Sequence, residues 1–337
     1  MKKLLLSLSL LATVCSASAQ VLAMDDFSSY TVGNVGVDPT GATTGQGDWY
    51  TAGAANSDFQ IVNNAAHGNY LQITGSATAT GNKFMWTSDF ETTWAFRDAG
   101  NDILSIEYEF FTGPATTSKN QHRVCVFNAD GLKILGGLLF AEDTKVLSGL
   151  SYYNNAGTMG NYSFNPTTGP FVLPTNTWVK IGFSFNKTTG QVICRTKGLT
   201  TNLNMGIPGA AMGIDPVEID LITAAGALNT SSTLALYDSY LVIAAATDAL
   251  LDVEQVQPTT AFAVFPNPAT NVINVNNKDN APISSITFSD LNGRIVKQNA
   301  FNNESQVQMN ISELSSGVYM MNITSKEGTT TKKIVKN

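Results

Sequence analysis

Apolar residues along this chain come mostly in short runs with a period of two, bounded by Gly, Asn and Pro clusters. Successive side chains of a strand point to opposite faces, so such runs predict half-buried β-strands. The pattern places strands at residues 58–63, 69–74, 103–111, 122–128, 132–140, 149–154, 177–186, 190–196, 216–223 and 233–244. The clearest piece lies between Thr177 and Lys197. There Val179, Ile181, Phe183 and Phe185 alternate with Lys180, Gly182, Ser184 and Asn186. The first set is sent to a core and the second to solvent or a groove. Asn186-Lys187-Thr188-Thr189-Gly190 reads as a hairpin connection, with Gly190 at a position suited to φ > 0. No segment holds a helical period for three turns, and a single helical turn is expected near Phe90–Arg97. The chain is therefore read as all-β.

A second set of alternating runs fills the end of the chain, at residues 272–275, 283–289, 294–297, 306–311, 318–323 and 330–336. These suffice for a small immunoglobulin-like β-sandwich. The segment opens with Phe265-Pro266-Asn267-Pro268, whose prolines block helix. It carries Asp290-Leu291-Asn292-Gly293-Arg294, with a two-residue hairpin signal at Asn292-Gly293. Leu314, Gly317 and Tyr319 follow, and the chain closes basic-apolar-basic on Lys333-Ile334-Val335-Lys336. With these signatures together, residues 264–337 resemble the C-terminal sorting domain (type A) of the type IX secretion system of Bacteroidetes-type bacteria. The resemblance implies that Pro266, Asn267, Pro268, Asp290, Gly293, Arg294, Gly317, Tyr319, Lys333 and Lys336 form the sorting motif. It also implies transit through the periplasm, recognition by the type IX outer-membrane translocon, and removal of the tail, with the cargo released or attached to the cell surface.

The opposite end supports export. Lys2 and Lys3, an apolar run to Val14 and the small-x-small Ala17-Ser18-Ala19 form a secretory signal peptide over residues 1–19. Val14 stands where a lipobox needs a small residue, so Cys15 is not read as a lipid anchor. No later run approaches the roughly 20 apolar residues of a spanning helix, so no transmembrane segment is expected after cleavage.

Charged residues make up only 13% of the chain, where about 25% is usual. Their balance is uneven: from Gln20 to Ala263 there are 10 Lys and Arg against 21 Asp and Glu. Such an acidic segment argues against nucleic acid as a partner, because nothing neutralises phosphates. Neutral sugars and calcium remain compatible with it. Cys125 and Cys194 are the cysteines left after cleavage. They form either a disulfide or two separate buried thiols. His67 and His122 show no zinc-ligand spacing with either cysteine.

In the larger segment, Trp178-Val-Lys-Ile-Gly-Phe-Ser-Phe, Thr189-Gly190-Gln-Val and Lys197-Gly198 are similar to the central hairpin of laminin-G-like and concanavalin A-like jelly rolls. The resemblance implies a jelly-roll β-sandwich over residues 24–248. It says almost nothing of function, since that fold carries lectins, hydrolases, lyases and adhesion modules. In many carbohydrate-binding jelly rolls the first and last strands lie side by side and share a structural calcium. Met24–Tyr30 and Leu236–Ile243 are the matching ends here, and Asp25 or Asp26 with Asp238 would supply carboxylate oxygens to a calcium ion.

Two acidic pairs stand at i, i+2 on predicted strands, Glu107 with Glu109 and Glu218 with Asp220, each sharing a face. That spacing suits the paired carboxyls of a glycosidase. Glu218-Ile219-Asp220 resembles the start of the Glu-x-Asp-x-x-Glu strand of laminarinase-type hydrolases. The acid/base glutamate of that family would fall at Thr223 or beside it at Ile222, and neither donates a proton. His122, Arg123 and a nearby Tyr are the residues a lyase of this fold would draw on. Gly-x-Ser-x-Gly, phosphate-loop and dinucleotide signatures do not occur. Aromatics are the stronger lead. Trp49, Trp86, Trp94, Tyr152 and Tyr153 stand in Gly/Asn/Thr-rich surroundings, and a flat exposed ring stacks on the apolar face of a sugar.

The expected organisation is a signal peptide at 1–19, a jelly-roll cargo at 20–248, a tether at 249–263 and a sorting domain at 264–337. The expected setting is extracellular or on the outer-membrane surface. The residues favour a non-catalytic module binding extracellular polysaccharide over two alternatives, a polysaccharide hydrolase or lyase and a structural surface protein.

Overall fold

A computed structural model of the chain describes residues 19–53, 55–65, 67–251, 262–277, 282–290, 294–325 and 328–337. The period-two runs pair there as antiparallel strands. Their apolar sides gather in two main clusters, one reaching from Leu22 to Ala244 and the other from Phe262 to Ile334. The expected signal peptide lies outside the described residues except for Ala19.

In chain order the larger unit comprises β1 (Gln20–Asp25), β2 (Gly33–Asn34), β3 (Trp49–Ala52), β4 (Phe59–Asn64), β5 (Gly68–Thr74), β6 (Lys83–Thr87), α1 (Phe90–Ala95), β7 (Ile103–Phe111) and β8 (Gln121–Phe127). It continues with β9 (Ile134–Ala141), β10 (Val146–Asn155), β11 (Thr158–Phe164), β12 (Phe171–Val172), β13 (Trp178–Asn186), β14 (Val192–Lys197), β15 (Asn204–Ile207), β16 (Glu218–Ala224) and β17 (Leu234–Ala245). One sheet runs β15-β14-β13-β7-β17-β5-β4-β2, with β1 also on β17. The other runs β11-β10-β9-β8-β16-β6-β3, with β12 on β10. The two stack as a jelly-roll sandwich.

The central hairpin shows why. Val179, Ile181, Phe183 and Phe185 are all buried between the sheets, while Lys180, Gly182 and Ser184 point away from the core. The turn closes with Gly190 at φ 73°, donating its N–H to the Asn186 carbonyl at 2.7 Å. A side chain at that φ is strained, which is the role expected of a glycine there. The first and last strands pair, Asp25 standing opposite Tyr240.

The outward side of β13 and β14 is roofed by the chain after β17. Leu250 and Leu251 are buried. Leu251 donates its N–H to Glu107 Oε1 at 2.7 Å, and Arg195 and Lys197 donate to the Leu250 and Leu251 carbonyls, each at 3.0 Å. The larger unit therefore continues through Leu251, and residues 252–261 of the expected tether lie outside the described residues. The cysteines settle as separate buried thiols. Cys194 sits in the main core and Cys125 in a small apolar cluster with Leu150, Ile222 and Ala224.

The smaller unit holds β18 (Phe262–Phe265), β19 (Val272–Asn277), β20 (Ile283–Ser289), β21 (Ile295–Glu304), β22 (Gln306–Asn310), β23 (Gly317–Ser325) and β24 (Gly328–Lys336). Its sheets run β18-β19-β22 and β21-β20-β23-β24. Ile273 and Val275 of the first meet Ile286, Phe288, Met321, Ile323 and Ile334 of the second in one core. The expected immunoglobulin-like sandwich is what forms.

Candidate functional site

The register of the β11–β3 sheet lines up residues that the sequence scatters. Leu150 stands opposite Gly137, Gly137 opposite Cys125, Cys125 opposite Asp220, Asp220 opposite Trp86, and Trp86 opposite Tyr50. Their strand neighbours Val124, Leu138, Leu147, Leu221, Met85 and Trp49 fill the core, so this row lies on the outward face. At about 4.8 Å per strand, its five steps span roughly 24 Å. Gly137 and Cys125 in its middle are buried, Cys125 in a small apolar cluster with Leu150 and Ile222. Tyr50 and Trp86 stack at one end, with ring centroids 5.5 Å apart and planes 16° apart. Both rings are half-buried. Gly41, at φ 77°, presses against the edge of Trp86, where a Cβ would fall 2.6 Å from the ring. Asp38 holds that turn, accepting from the Thr40 hydroxyl at 2.7 Å and the Ala42 N–H at 3.1 Å.

Asp220 gives the row its chemistry. Its Oδ1 is buried without a hydrogen-bond partner. Burial first, and then the Glu218 carboxyl beside it, push Asp220 up to about 8. Both causes favour its protonated form, beside the half-buried Glu218 carboxyl and flanked by Trp86. One position over, Arg123 stands opposite Ile222 and bonds Gln121. Tyr152, on the same face of β10, lies under Lys133, whose Nζ is 5.6 Å from the ring centroid.

The expected aromatic set divides. Trp86 and Tyr152 face outward. Trp49 and Trp94 are buried, their Nε1–H groups satisfied by Asp25 at 3.0 Å and Asp215 at 2.7 Å. They offer no face to a ligand, a correction that follows from their position on the core side of β3 and α1. Tyr153 turns inward against Tyr162 and Phe164. Tyr50, the outward neighbour of Trp49, takes the place expected of the tryptophan.

The carboxyls expected to hold calcium take other partners. Asp25 points inward, accepting from the Phe27 N–H at 2.8 Å, from Trp49 and from the Tyr30 hydroxyl. Asp26 accepts from the Ser28 N–H at 3.0 Å. Asp238 instead meets His67 at 2.8 Å, with Glu109 Oε2 3.8 Å from the same Nε2. Glu107, expected to work with Glu109, is fully buried and carries Leu251 and Lys180. His122 is also structural. It bonds Thr223 Oγ1 at 3.1 Å and Glu142 Oε1 at 3.0 Å, and Lys145 reaches Glu142 Oε2 at 2.5 Å and the Thr112 carbonyl at 2.8 Å. Thr223 faces that network and Ile222 faces outward, so neither position carries a second acid beside Glu218.

In the smaller unit the motif residues stitch its ends together. Asn267 donates to the Lys333 carbonyl at 2.9 Å and accepts from the Val335 N–H at 2.8 Å. The Ala269 N–H donates to the Val335 carbonyl, and the Asn337 N–H to the Ala269 carbonyl, both at 2.8 Å. The Pro-Asn-Pro entry thus clamps the basic-apolar-basic exit. Asp290 accepts from the Arg294 N–H and Nε, each at 3.0 Å, and the Tyr319 hydroxyl donates to the Ser315 carbonyl at 2.8 Å. Lys333 is exposed and Lys336 buried; Gly317 opens β23 at the pairing with Lys336. Pro266 and Pro268 flank Asn267, and Gly293 lies outside the described residues.

Residues 263–337 match the family model described as the secretion system C-terminal sorting domain. That domain marks proteins exported to the cell surface or the extracellular space. Among the described residues no helix is long and apolar enough to cross a membrane. A comparison with curated proteins returned no match. Among solved structures, the chain is similar to the CBM2 module of the evolved Dit of Lactobacillus casei BL23 phage J-1, at 11% identity over 69% of this chain and 99% of that one, with a TM-score of 0.41. It is also similar to β-agarase A from Zobellia galactanivorans, at 9% identity over 68% of this chain and 93% of that one, TM-score 0.43. A third is alginate lyase vAL-1 from Chlorella virus, at 8% over 59% and 93%, TM-score 0.38. Likeness at this level carries no argument about ligand or chemistry.

Proposed function

We propose that this chain is an exported glycan-binding protein. An N-terminal signal peptide takes it to the periplasm, the sorting tail takes it across the outer membrane, and the jelly roll is a non-catalytic module for extracellular polysaccharide. The glycan sits at the Tyr50–Trp86 end of the row, where both rings are partly exposed, with one sugar stacked on the Tyr50–Trp86 platform. The observation that carries this reading is that platform beside Asp220: an apolar ring face next to a neutral donor and a carboxylate acceptor. Sugars need both, a flat surface for C–H groups and paired donors and acceptors for hydroxyls.

Binding of the full chain to a glycan array, followed by titration with the best ligand, tests it. Removing the Trp86 ring in Trp86→Ala costs about 2 kcal/mol, roughly thirtyfold in Kd. An unchanged Kd in both Trp86→Ala and Tyr50→Ala removes the row from consideration. A hydrolase is the second reading, favoured by one observation: two carboxyls, Glu218 and Asp220, share one face, and burial raises the proton affinity of Asp220. It requires release of reducing sugar that is lost in Glu218→Gln, whereas the binding reading expects no turnover in either protein. Export is tested separately. Deleting 264–337 leaves the cargo in the periplasm, and normal secretion of that truncation would refute the role of the tail.

A further inference from the structure

On the other sheet of the sandwich, remote from the aromatic row, three side chains with metal-ligating atoms converge. Glu109 of β7 and Asp238 of β17 stand directly opposite each other in register. Their neighbours Tyr108, Phe110 and Tyr237 fill the core, so both carboxyls point outward. His67, from the turn between β4 and β5, reaches over them. The three ligand atoms lie within 4.8 Å of one another.

The imidazole is held in place by its surroundings. It stacks on Trp178 with centroids 4.1 Å apart and planes 7° apart, and meets the edge of Tyr70 at 5.8 Å. Its Nε2 is 2.8 Å from Asp238 Oδ2, yet the direction is wrong for a hydrogen bond, and that nitrogen is buried without a partner. Asp238 Oδ1 is already taken by the Ser239 N–H at 2.6 Å, which leaves Oδ2 as the free oxygen. The β17 bulge that begins at Asp238 sets this aim. Side-chain exposure is 22% for His67, 11% for Asp238 and 35% for Glu109, so the group is sheltered below and open to solvent through Glu109.

Charge favours a cation. The lysine beside Glu109, Lys180, is drawn to Glu107 at 3.2 Å rather than to this group. We propose that His67, Glu109 and Asp238 form a site for a zinc-class divalent metal ion. Bonds of about 2.0–2.2 Å to a tetrahedral ion put ligand atoms roughly 3.3 Å apart. The separations of 2.8 and 3.8 Å from His67 Nε2 bracket that value. Three protein ligands leave a fourth position for water or an external group. An imidazole ligand selects against calcium, which takes six to eight oxygens. Once bound, the ion ties the β4–β5 turn to the middle of the sheet.

The full untagged chain, stripped with chelator, is titrated with Zn2+ by calorimetry and with Co2+ by visible absorption. The expected result is one equivalent of each, a Co2+ spectrum of low coordination number, and competition between the ions. At a hundredfold excess over Kd, Zn2+ raises the Tm of the larger unit by about 5–10 °C. Glu109→Gln, at the most exposed of the three side chains, keeps the apo melting temperature while weakening Zn2+ at least tenfold; His67→Gln weakens Zn2+ at least as much. The proposal is overturned by wild-type affinity in both variants, by absence of binding, or by a response to Ca2+ without one to Zn2+.

Discussion

Asp220→Asn isolates the electrostatics of the outward row. In the folded chain, burial and the adjacent Glu218 hold the Asp220 carboxyl up at about 8, against about 3.9 in an unfolded chain. Between those two values the folded state keeps a proton that the unfolded state has lost. Stability from this group therefore falls as pH rises from about 4 to about 8 and levels off above. The slope is at most about 1.4 kcal/mol per pH unit, so four units set a ceiling of about 6 kcal/mol. Relaxation of half-buried Glu218 and entry of water lower this, and about 2–4 kcal/mol is expected. Asn is neutral and nearly the same shape, so the variant loses the slope and keeps the packing.

The assay is urea unfolding of the larger unit, followed by tryptophan fluorescence, at pH 5 and pH 8.5. At pH 5 about a quarter of the difference has developed. At pH 8.5 Asp220→Asn is the more stable by about 2–4 kcal/mol, or roughly 5–15 °C in Tm. Burial also raises Asp25, which adds a slope of the same sign to both proteins. The quantity to read is therefore the difference between them. A difference that stays constant with pH would show that Asp220 is ionised in the folded chain, and the neutral-donor argument for sugar binding would fall with it.

Three further outcomes follow from the same contacts. Glu142→Gln leaves buried Lys145 without a counter-charge and costs about 3–5 kcal/mol in urea, while Glu142→Leu with Lys145→Met recovers most of it; equal losses in both would show that packing, not charge, is at stake. Asn267→Ala removes two bonds to β24 and lowers the stability of the tail by about 1–3 kcal/mol, seen as a shift confined to its own transition and a drop in extracellular yield. Cys125 and Cys194 stay unreactive toward a thiol reagent until the chain unfolds, because burial pushes Cys125 up to about 12 and Cys194 up as well; labelling of the folded chain at neutral pH would contradict their placement.

What the sequence made legible was whatever repeats along a strand. The alternation in β13 and the glycine after its turn lie within one stretch of chain, so core face and hairpin could both be read. Among the strands missed, which include β3 and β6 of the candidate site, β11 (Thr158–Phe164) is exposed along most of its length and β15 (Asn204–Ile207) is an edge strand interrupted by glycine. Alternation says that Trp49 and Tyr50, or Tyr152 and Tyr153, go to opposite faces, but not which goes where. That choice is made by pairing. Trp49 turns inward because β3 lies on β6 with Met85 in the core, which sends Tyr50 out onto Trp86.

The candidate sites are harder still, because they run across strands. Leu150, Cys125, Asp220, Trp86 and Tyr50 share a row only through the order β10-β9-β8-β16-β6-β3, and a slip of one residue in any pairing would break it. His67 shows no ligand spacing along the chain for the same reason. Its partners Glu109 and Asp238 come from strands that become neighbours only when β17 inserts between β5 and β7. Spacing along the chain finds metal ligands when one helix or knuckle supplies them. In a sandwich of crossed connections, the spacing that matters is the one between strands, and it is created by folding.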